Sequence, residues 1–216
     1  KSESFTNAFG DEASDRIVNW LNVYLTRMVD CVEKTNGVVD KFIGDAVMAH
    51  WGTASTAGSP EKDAYNCVCT ALLMRESLLE MNKGRTKEDV GNPPIVIGCG
   101  INSGIVTTGQ LGSEQRMEYT VIGDPVNLAS RVESLTKEMK ADILISENTW
   151  NLAGEHFITE ELPAVTVKGK EKPVRLFAVV NYKNALSGPK TLEEVRQLIG
   201  IANKAGEKKG KAGGGG

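Results

Sequence analysis

Apolar residues recur at intervals of three and four between Asp15 and Thr35, the spacing of one buried face of a helix. The members of this stripe are Ile17, Trp20, Leu21, Tyr24, Leu25, Met28, Val29 and Val32. Ser14 can cap the first turn, and Asn36-Gly37 favours a helix end. The pattern therefore predicts a long amphipathic helix from Asp15 to Thr35.

The next segment, VVDKFIGDAVMAHWG at residues 38–52, has two β-rich runs on either side of Gly44-Asp45. Such a pair between two runs is typical of a tight hairpin turn. Ser59-Pro60 then opens a second helix, which ends near Asn82. The runs IVIGCGIN and GIVTTGQLG predict another hairpin, with its turn at residues 102–104.

In the second half, YTVIG at residues 119–123 predicts a strand that leads into a helix from Pro125 to about Met139. Asp124 is suited to be its N-cap and Pro125 its first helical residue. ADILIS at residues 141–146 is a further predicted strand, whose last residue, Ser146, can cap a short helix.

VTVKG and PVRLFAVVN predict a last hairpin, with its turn around residues 170–172, and residues 191–204 predict a final amphipathic helix. Helices alternate with mostly antiparallel strands, so we expect an α/β (α+β) fold with helices packed on a sheet. The expected division is a folded domain at residues 1–183, followed by a helix and a Gly/Lys tail at residues 184–216.

Amino-acid composition limits the possible binding partners and the cellular compartment of the protein. The chain has 216 residues, 40% of them apolar, and a net charge of −3, which does not favour nucleic acid as a partner. No apolar run approaches the roughly 18 residues of a membrane-spanning helix. The four cysteines form no CxxC pair, so we expect buried free thiols in a reducing compartment. The expected location is cytoplasmic for this domain, with a membrane anchor elsewhere in the parent protein left open.

Two residues of the first hairpin carry possible chemistry. Asp45 at the tip suits Mg²⁺, which takes one or two carboxylates together with phosphate oxygens, although Gly-Asp is also a common turn pair. Lys41 falls on the same predicted strand face as Val39 and Ile43. A lysine in an apolar row either extends its ammonium group to the solvent at a sheet edge or meets a polar ligand.

The helix after YTVIG places Asn127 and Arg131 one turn apart on a face separate from its apolar stripe. An amide and a guanidinium in that arrangement can hold an oxyanion from two directions, as phosphoryl chemistry requires. A solvated polar face is the structural alternative. The sequence contains no GxxxxGK[ST] motif, which excludes a P-loop.

Taken together, three motifs resemble the catalytic domain of class III nucleotidyl cyclases, the adenylate and guanylate cyclases. They are DKFIGDAVMAHWG (40–52), INSGIVTTGQLGSEQRMEYTVIGDPVNLASRVES (101–134) and VKGKEKPV (167–174). The resemblance covers roughly residues 3–181. It implies a ferredoxin-like fold and conversion of ATP to 3′,5′-cyclic AMP and pyrophosphate.

The resemblance also implies roles for single residues. Asp45 matches the second metal-binding Asp, for two Mg²⁺ or Mn²⁺ ions per site. Lys41 matches the base-recognising residue, which is Lys in adenylate cyclases and Glu in guanylate cyclases, and Thr120 matches the second base-recognising position. Asn127 and Arg131 match the pair that orients the ribose and neutralises the α-phosphate.

Four further substrate-binding positions follow from the same resemblance. Lys168 matches the lysine that reaches the triphosphate, and Arg116 falls near a phosphate-binding Arg. Phe5 and Thr6 match the end of a D-I-x-x-F-T motif whose Asp is the first metal ligand. Counting back places Lys1 where that Asp stands, so we expect that the sequence begins inside the motif. A chain without this Asp would be a nucleotide-binding pseudoenzyme.

The family acts as head-to-tail dimers, in which the metal ligands come from one subunit and the base-reading Lys, the Asn and the Arg come from the other. The resemblance thus implies a homodimer with composite active sites and a covalently attached regulatory domain in the parent chain. Guanylate cyclase activity is the other alternative. Lys41 opposes it, since a Lys cannot accept hydrogen bonds from guanine N1–H and the 2-amino group.

Overall fold

A computed structural model describes residues 13–53, 58–85, 94–166 and 173–201, with the backbone alone for residues 13–17. Five α-helices lie in these ranges: α1 Ala13–Glu33, α2 Pro60–Met81, α3 Asp124–Met139, α4 Glu147–Ala153 and α5 Leu192–Leu198. The strands are β1 Val38–Ile43, β2 Ala46–His50, β3 Cys99–Ile101, β4 Thr107–Ser113, β5 Arg116–Ile122, β6 Ile143–Ser146, β7 Phe157–Val165 and β8 Val174–Tyr182.

The central sheet has the order β3-β6-β8-β7. β3 and β6 are parallel, whereas β6 with β8 and β8 with β7 are antiparallel. The pairs β1-β2 and β4-β5 form two separate antiparallel hairpins. The predicted fold class, a mostly antiparallel sheet with helices packed on it, is therefore confirmed.

Successive side chains of the central strands point to opposite faces of the sheet, so the core has two parts, one on each face. Ile143 and Ile145 pack with α2 and the end of α4, whereas Leu144 between them packs with α3 and α5. Each central strand is thus buried on both sides, which explains its continuous apolar sequence. The face formed by α3 and α5 includes Leu192 and Val195, both buried.

A glycine allows α3 to lie close to the edge strand β3. A Cβ atom at Gly100 would be 2.1 Å from the backbone nitrogen of Glu133 and 2.6 Å from the carbonyl oxygen of Ala129. Any side chain at this position would therefore push the helix outward. Gly100 fixes the distance between α3 and the sheet.

An ion pair ties the sheet to α2 at the opposite face. Arg75 Nε and Nη2 donate to the two carboxylate oxygens of Asp142 at 2.6 and 2.8 Å. The same guanidinium donates to the carbonyls of Val179 and Val180 in β8. Both side chains are buried, so the ion pair links α2 to the sheet inside the protein.

One predicted hairpin is wrong. The runs at residues 95–102 and 104–112 do not pair with each other, because β3 pairs with β6 and β4 pairs with β5. The turn-like residue Asn102 is used in tertiary contacts instead. Its amide donates to the carbonyl of Pro125 at 3.0 Å, and its side-chain oxygen accepts from Ser146 at 2.7 Å.

Smaller differences concern element ends. Gly123, with φ 144°, occupies the N-cap position of α3, so Asp124 is the first helical residue rather than the cap. β7 begins at Phe157, well before the predicted run at residues 165–169. The start of α2 at Ser59-Pro60 and the cap of α4 by Ser146 are confirmed.

The predicted free cysteines are confirmed: Cys31 and Cys69 are buried, and Cys67 and Cys99 are partly buried at the core. Burial raises the pKa of Cys99 to about 12, which keeps the thiol protonated at neutral pH. None of the described helices is both long and apolar enough to cross a membrane.

Candidate functional site

The tip of the β1-β2 hairpin presents Asp45. Ile43 pairs with Ala46, which leaves Gly44 and Asp45 as a two-residue turn. Gly44 has φ of 64°, a conformation that the tight hairpin turns require and that glycine adopts without strain. The turn holds the Asp45 side chain at an exposed position, where the carboxylate is accessible to a metal ion and its phosphate ligands.

A register shift lies in β1 just before Lys41. Val39 pairs with Ala49 and Lys41 pairs with Met48, so Asp40 is an extra residue at a bulge. The bulge reverses the alternation, and Lys41 shares its face with Ile43 but not with Val39, contrary to the sequence prediction. It also turns the Asp40 side chain inward, where its exposure is 0%.

Asp40 connects the two hairpins. The Thr120 hydroxyl of β5 lies 2.9 and 2.7 Å from the two carboxylate oxygens of Asp40 and donates to them. The backbone N–H of Val121 donates to the same carboxylate at 3.1 Å. Lys41 Nζ lies 3.4 Å from Asp40 Oδ1. The two residues expected to recognise the base, Lys41 and Thr120, therefore meet at one carboxylate although 79 positions separate them.

Asp40, Lys41 and Thr120 form a polar cluster, and Glu118 contacts Lys41 from its other side. Its carboxylate accepts from Lys41 Nζ at 3.3 Å and from Arg116 at 2.8 Å. The hydrogen bond to Glu118 raises the pKa of Lys41, against the smaller opposing effect of desolvation, with Asp40 adding to the rise. Arg116, and then Lys41, lower the pKa of Glu118. Lys41 is therefore a charged hydrogen-bond donor.

Helix α3 begins immediately after β5, at a position fixed by several contacts. Asn102 holds the carbonyl of Pro125, and a Cβ atom at Gly104 would be 2.6 Å from the Pro125 ring. Asn127 is exposed in the first turn, and Arg131 is half-buried one turn later. Within the described ranges, neither side chain makes a hydrogen bond or an ion pair. Both are available to bind an anion.

The structure thus brings Lys41, Thr120 and Arg116 into one cluster and places Asp45 on the same hairpin as Lys41. Asn127 and Arg131 stand on the helix that continues the Thr120 strand. The other predicted substrate-binding residues, Phe5, Thr6 and Lys168, lie outside the described residues.

Sequence reasoning missed Asp40 and Glu118. Signals for both were present in the sequence. Asp40 is an acidic residue inside an apolar strand and next to Lys41, and Glu118 is two positions from Thr120, which puts both on one face of β5. Acidic neighbours of a lysine that is expected to bind a ligand are candidates for holding it in place.

Among the described residues, no group of three or more His, Cys, Asp or Glu side chains is arranged to hold a metal ion. Asp45 is a single exposed carboxylate. This donor set fits a hard divalent cation that receives most of its oxygen ligands from phosphates, and it does not fit a protein-enclosed metal site.

Large apolar side chains are exposed on the two hairpins next to the cluster. Phe42 and Ile43 on β1 are 50% and 61% exposed, and Leu111, Met117 and Tyr119 on the β4-β5 hairpin are each more than half exposed. By the strand register, Leu111 lies on the face of Glu118, and Met117 and Tyr119 lie on the opposite face, so both faces of the β4-β5 hairpin carry exposed apolar groups.

Comparison with known proteins agrees with the motifs. Residues 2–181 match the model of the adenylate and guanylate cyclase catalytic domain family. An adenylate cyclase of Anabaena cylindrica is 36% identical over 169 residues, and the terminal-differentiation-specific adenylate cyclase of Dictyostelium discoideum is 35% identical over 180 residues. These alignments cover 76% and 82% of this chain, but only 32% and 8% of the two relatives.

Solved structures give the same picture. The adenylyl cyclase CyaB from P. aeruginosa is similar with a TM-score of 0.69 and 36% identity, over 80% of this chain and 86% of that one. The guanylyl cyclase Cya2 is similar with a TM-score of 0.66 and 26% identity, over 88% and 91% of the two chains. The similar structures thus include cyclases named for either purine nucleotide.

Proposed function

Because this chain belongs to the family of adenylate and guanylate cyclase catalytic domains, we propose that it is an adenylate cyclase. It would convert ATP to 3′,5′-cyclic AMP and pyrophosphate. The 3′-hydroxyl would lose its proton and the O3′–P bond would form as the bond between the α-phosphorus and the pyrophosphate oxygen breaks, so that pyrophosphate and one proton are released.

The observation that carries the choice of ATP is the joint contact of Lys41 and Thr120 with Asp40. A charged lysine at this place donates hydrogen bonds and cannot accept them. Adenine offers an acceptor at N1, whereas guanine carries a hydrogen there. The proposed pocket therefore favours ATP over GTP, since a misplaced donor leaves polar groups unpaired.

Asn127 and Arg131 are the proposed catalytic residues. Both lie on α3, whose start is held by Asn102, and neither is occupied by another described side chain. In our proposal, the Asn127 amide orients the ribose and Arg131 stabilises the charge that develops on the α-phosphate. Removing one such donor typically lowers turnover about 10²- to 10³-fold. Arg116 and, outside the described residues, Phe5, Thr6 and Lys168 are proposed to contact the rest of the substrate.

Asp45 is the proposed metal ligand. Mg²⁺ or Mn²⁺, two ions per site, would supply Lewis-acid activation of the 3′-hydroxyl and charge neutralisation at pyrophosphate. The role of the protein here is to present one carboxylate from a rigid turn.

We also propose a homodimer with composite sites, which the placement of these residues supports. Lys41 and Asp45 lie four positions apart at one hairpin tip, where a single chain could hardly direct both at the base and the phosphates of one nucleotide. The exposed apolar groups on β1 and on the β4-β5 hairpin support a second copy as the partner. Because the curated relatives are several times longer than the aligned part, we also propose an attached regulatory domain.

The test is a cyclase assay on the purified chain with ATP or GTP and Mg²⁺ or Mn²⁺. We expect cyclic AMP as the main product and at least 100-fold lower turnover for Arg131→Ala. Arg27→Ala, which removes an exposed arginine from α1, is the matched control and should retain normal turnover. Cyclic GMP as the main product, or an Arg131→Ala variant as active as the control, would reject the proposal.

A further inference from the structure

Asp40 has the most polar contacts in the cluster, and the resemblance to class III cyclases assigned no role to it. It is completely shielded from solvent at a bulge, and its carboxylate receives the Thr120 hydroxyl and the Val121 N–H. Lys41 Nζ approaches it at 3.4 Å, and His50 Nε2 lies 3.9 Å away. Burying a carboxylate is costly unless it is well paired, so such a group needs an explanation.

The direction of the Thr120 hydrogen bond is fixed by chemistry. A threonine hydroxyl has one hydrogen to donate and two lone pairs with which to accept, and it rotates to suit its surroundings. A carboxylate only accepts. The Thr120 hydrogen therefore points at Asp40, and the hydroxyl offers only lone pairs to any other group.

We propose that Asp40 is a positioning residue that determines base specificity by restricting the Thr120 hydroxyl to the role of acceptor. This inference rests on the proposed function, in which Lys41 and Thr120 face the purine. Asp40 also holds the Lys41 ammonium from one side while Glu118 holds it from the other. Asp40 thus fixes Thr120 as an acceptor beside Lys41, which is a donor in any arrangement.

That order of donor and acceptor matches adenine and not guanine. The edge of adenine presents an acceptor at N1 and a donor at the 6-amino group, whereas guanine presents a donor at N1 and an acceptor at O6. A free threonine could rotate and donate to O6, which would weaken the discrimination. With Asp40 in place, both positions oppose guanine.

The test compares ATP and GTP binding in competition with a fluorescent ATP analogue, in the presence of Mg²⁺, so that it does not depend on turnover. Asp40→Asn keeps the side-chain size but replaces one of the two acceptors of Thr120 by an NH₂ donor, so that the hydroxyl is no longer restricted to accepting from other groups. We expect the ratio of ATP to GTP affinity to fall about tenfold, as one mismatched buried hydrogen bond implies. Thr120→Val should lower the ratio similarly. Thr108→Val, which removes an exposed hydroxyl on the opposite face of the β4-β5 hairpin, should not.

The double variant Asp40→Asn with Thr120→Val isolates the route of the effect. If Asp40 acts through Thr120, the ratio falls no further than in Thr120→Val alone. A further fall would overturn the inference, as would an Asp40→Asn variant that loses thermal stability while its ratio stays unchanged. If Asp40→Asn does not fold, Asp40→Ser, whose hydroxyl can donate to Thr120, is expected to lower the ratio in the same way.

The outcomes separate this inference from the proposed function. If Thr120→Val leaves the ratio unchanged, or if neither nucleotide binds, base recognition at this cluster is wrong and the inference falls with it. If Thr120→Val lowers the ratio but Asp40→Asn and Asp40→Ser do not, the proposed function stands and only the role of Asp40 is rejected.

Discussion

The close approach of β3 to α3 gives a quantitative test of how the fold positions the site. In Gly100→Ala, the new methyl group would lie 2.1 Å from Glu133 N, 2.5 Å from Glu133 Cα and 2.6 Å from Ala129 O. Favourable contacts between such atoms begin at roughly 3.5 Å. All three are backbone atoms, so no side-chain rotation relieves the clash, and α3 must move outward by about 1 Å for these distances to approach van der Waals contact.

Two consequences follow from that movement. Overpacking of this kind costs about 1–3 kcal/mol of unfolding free energy. Because α3 carries Asn127 and Arg131, the displacement also misplaces both proposed catalytic residues, and a shift of about 1 Å can lower the rate by about 10²-fold. Gly100→Ala should therefore lose both stability and turnover.

Urea denaturation followed by circular dichroism measures the first effect, and the cyclase assay measures the second. Gly109→Ala is the stability control, because a Cβ atom there meets nothing within 4 Å, and its unfolding free energy should change by less than about 0.5 kcal/mol. A Gly100→Ala protein as stable as this control would refute the described packing. A destabilised protein with normal turnover would refute the link between the position of α3 and catalysis.

Three further variants test other parts of the structure. Arg75→Met leaves the buried carboxylate of Asp142 unpaired and should lower the unfolding free energy, measured by urea denaturation, by about 3–5 kcal/mol. The double variant Arg75→Met with Asp142→Leu should recover part of this loss, and an equal loss in both would contradict the pairing. Arg196→Ala removes two hydrogen bonds from α5 to the last carbonyls of α3, at Met139 and Lys140, and should lower the unfolding free energy by about 1 kcal/mol; no change would show that α5 does not cap α3. Asp45→Asn should keep the melting temperature, since Asn is equally acceptable in a turn, yet abolish metal-dependent turnover; near-normal activity would reject Asp45 as a ligand.

Local patterns predicted the parts of the fold that depend on neighbouring residues. The β1-β2 hairpin follows from Gly44-Asp45, and α2 follows from Ser59-Pro60, because turn and cap chemistry acts within a few positions. The predicted pairing of β3 with the following strand was wrong because Asn102, which is typical of a turn, instead bonds partners 23 and 44 positions away. No local pattern contains those contacts.

In the candidate site, too, the sequence predicted single residues but not the contacts between residues far apart in the chain. The motifs indicated Lys41, Thr120, Asn127 and Arg131 one by one, but strict alternation placed Lys41 beside Val39 because the bulge at Asp40 is not visible in the sequence. The bulge turns Asp40 toward the strand that carries Thr120, 80 positions away in the sequence. The geometry that could select a base therefore required the structure.

The proposed sharing of the active site between two subunits is tested most directly by mixing two inactive variants of the protein, Asp45→Ala and Arg131→Ala. In a heterodimer, one site lacks both groups and the other retains both, so random pairing of equal amounts should restore roughly a quarter of wild-type activity. A mixture of Asn127→Ala and Arg131→Ala is the matched control and should stay inactive, since each site of that heterodimer lacks one group. Recovery in the first mixture alone is the predicted result. No recovery, while size measurements confirm heterodimers, would place the site within one chain and contradict the account.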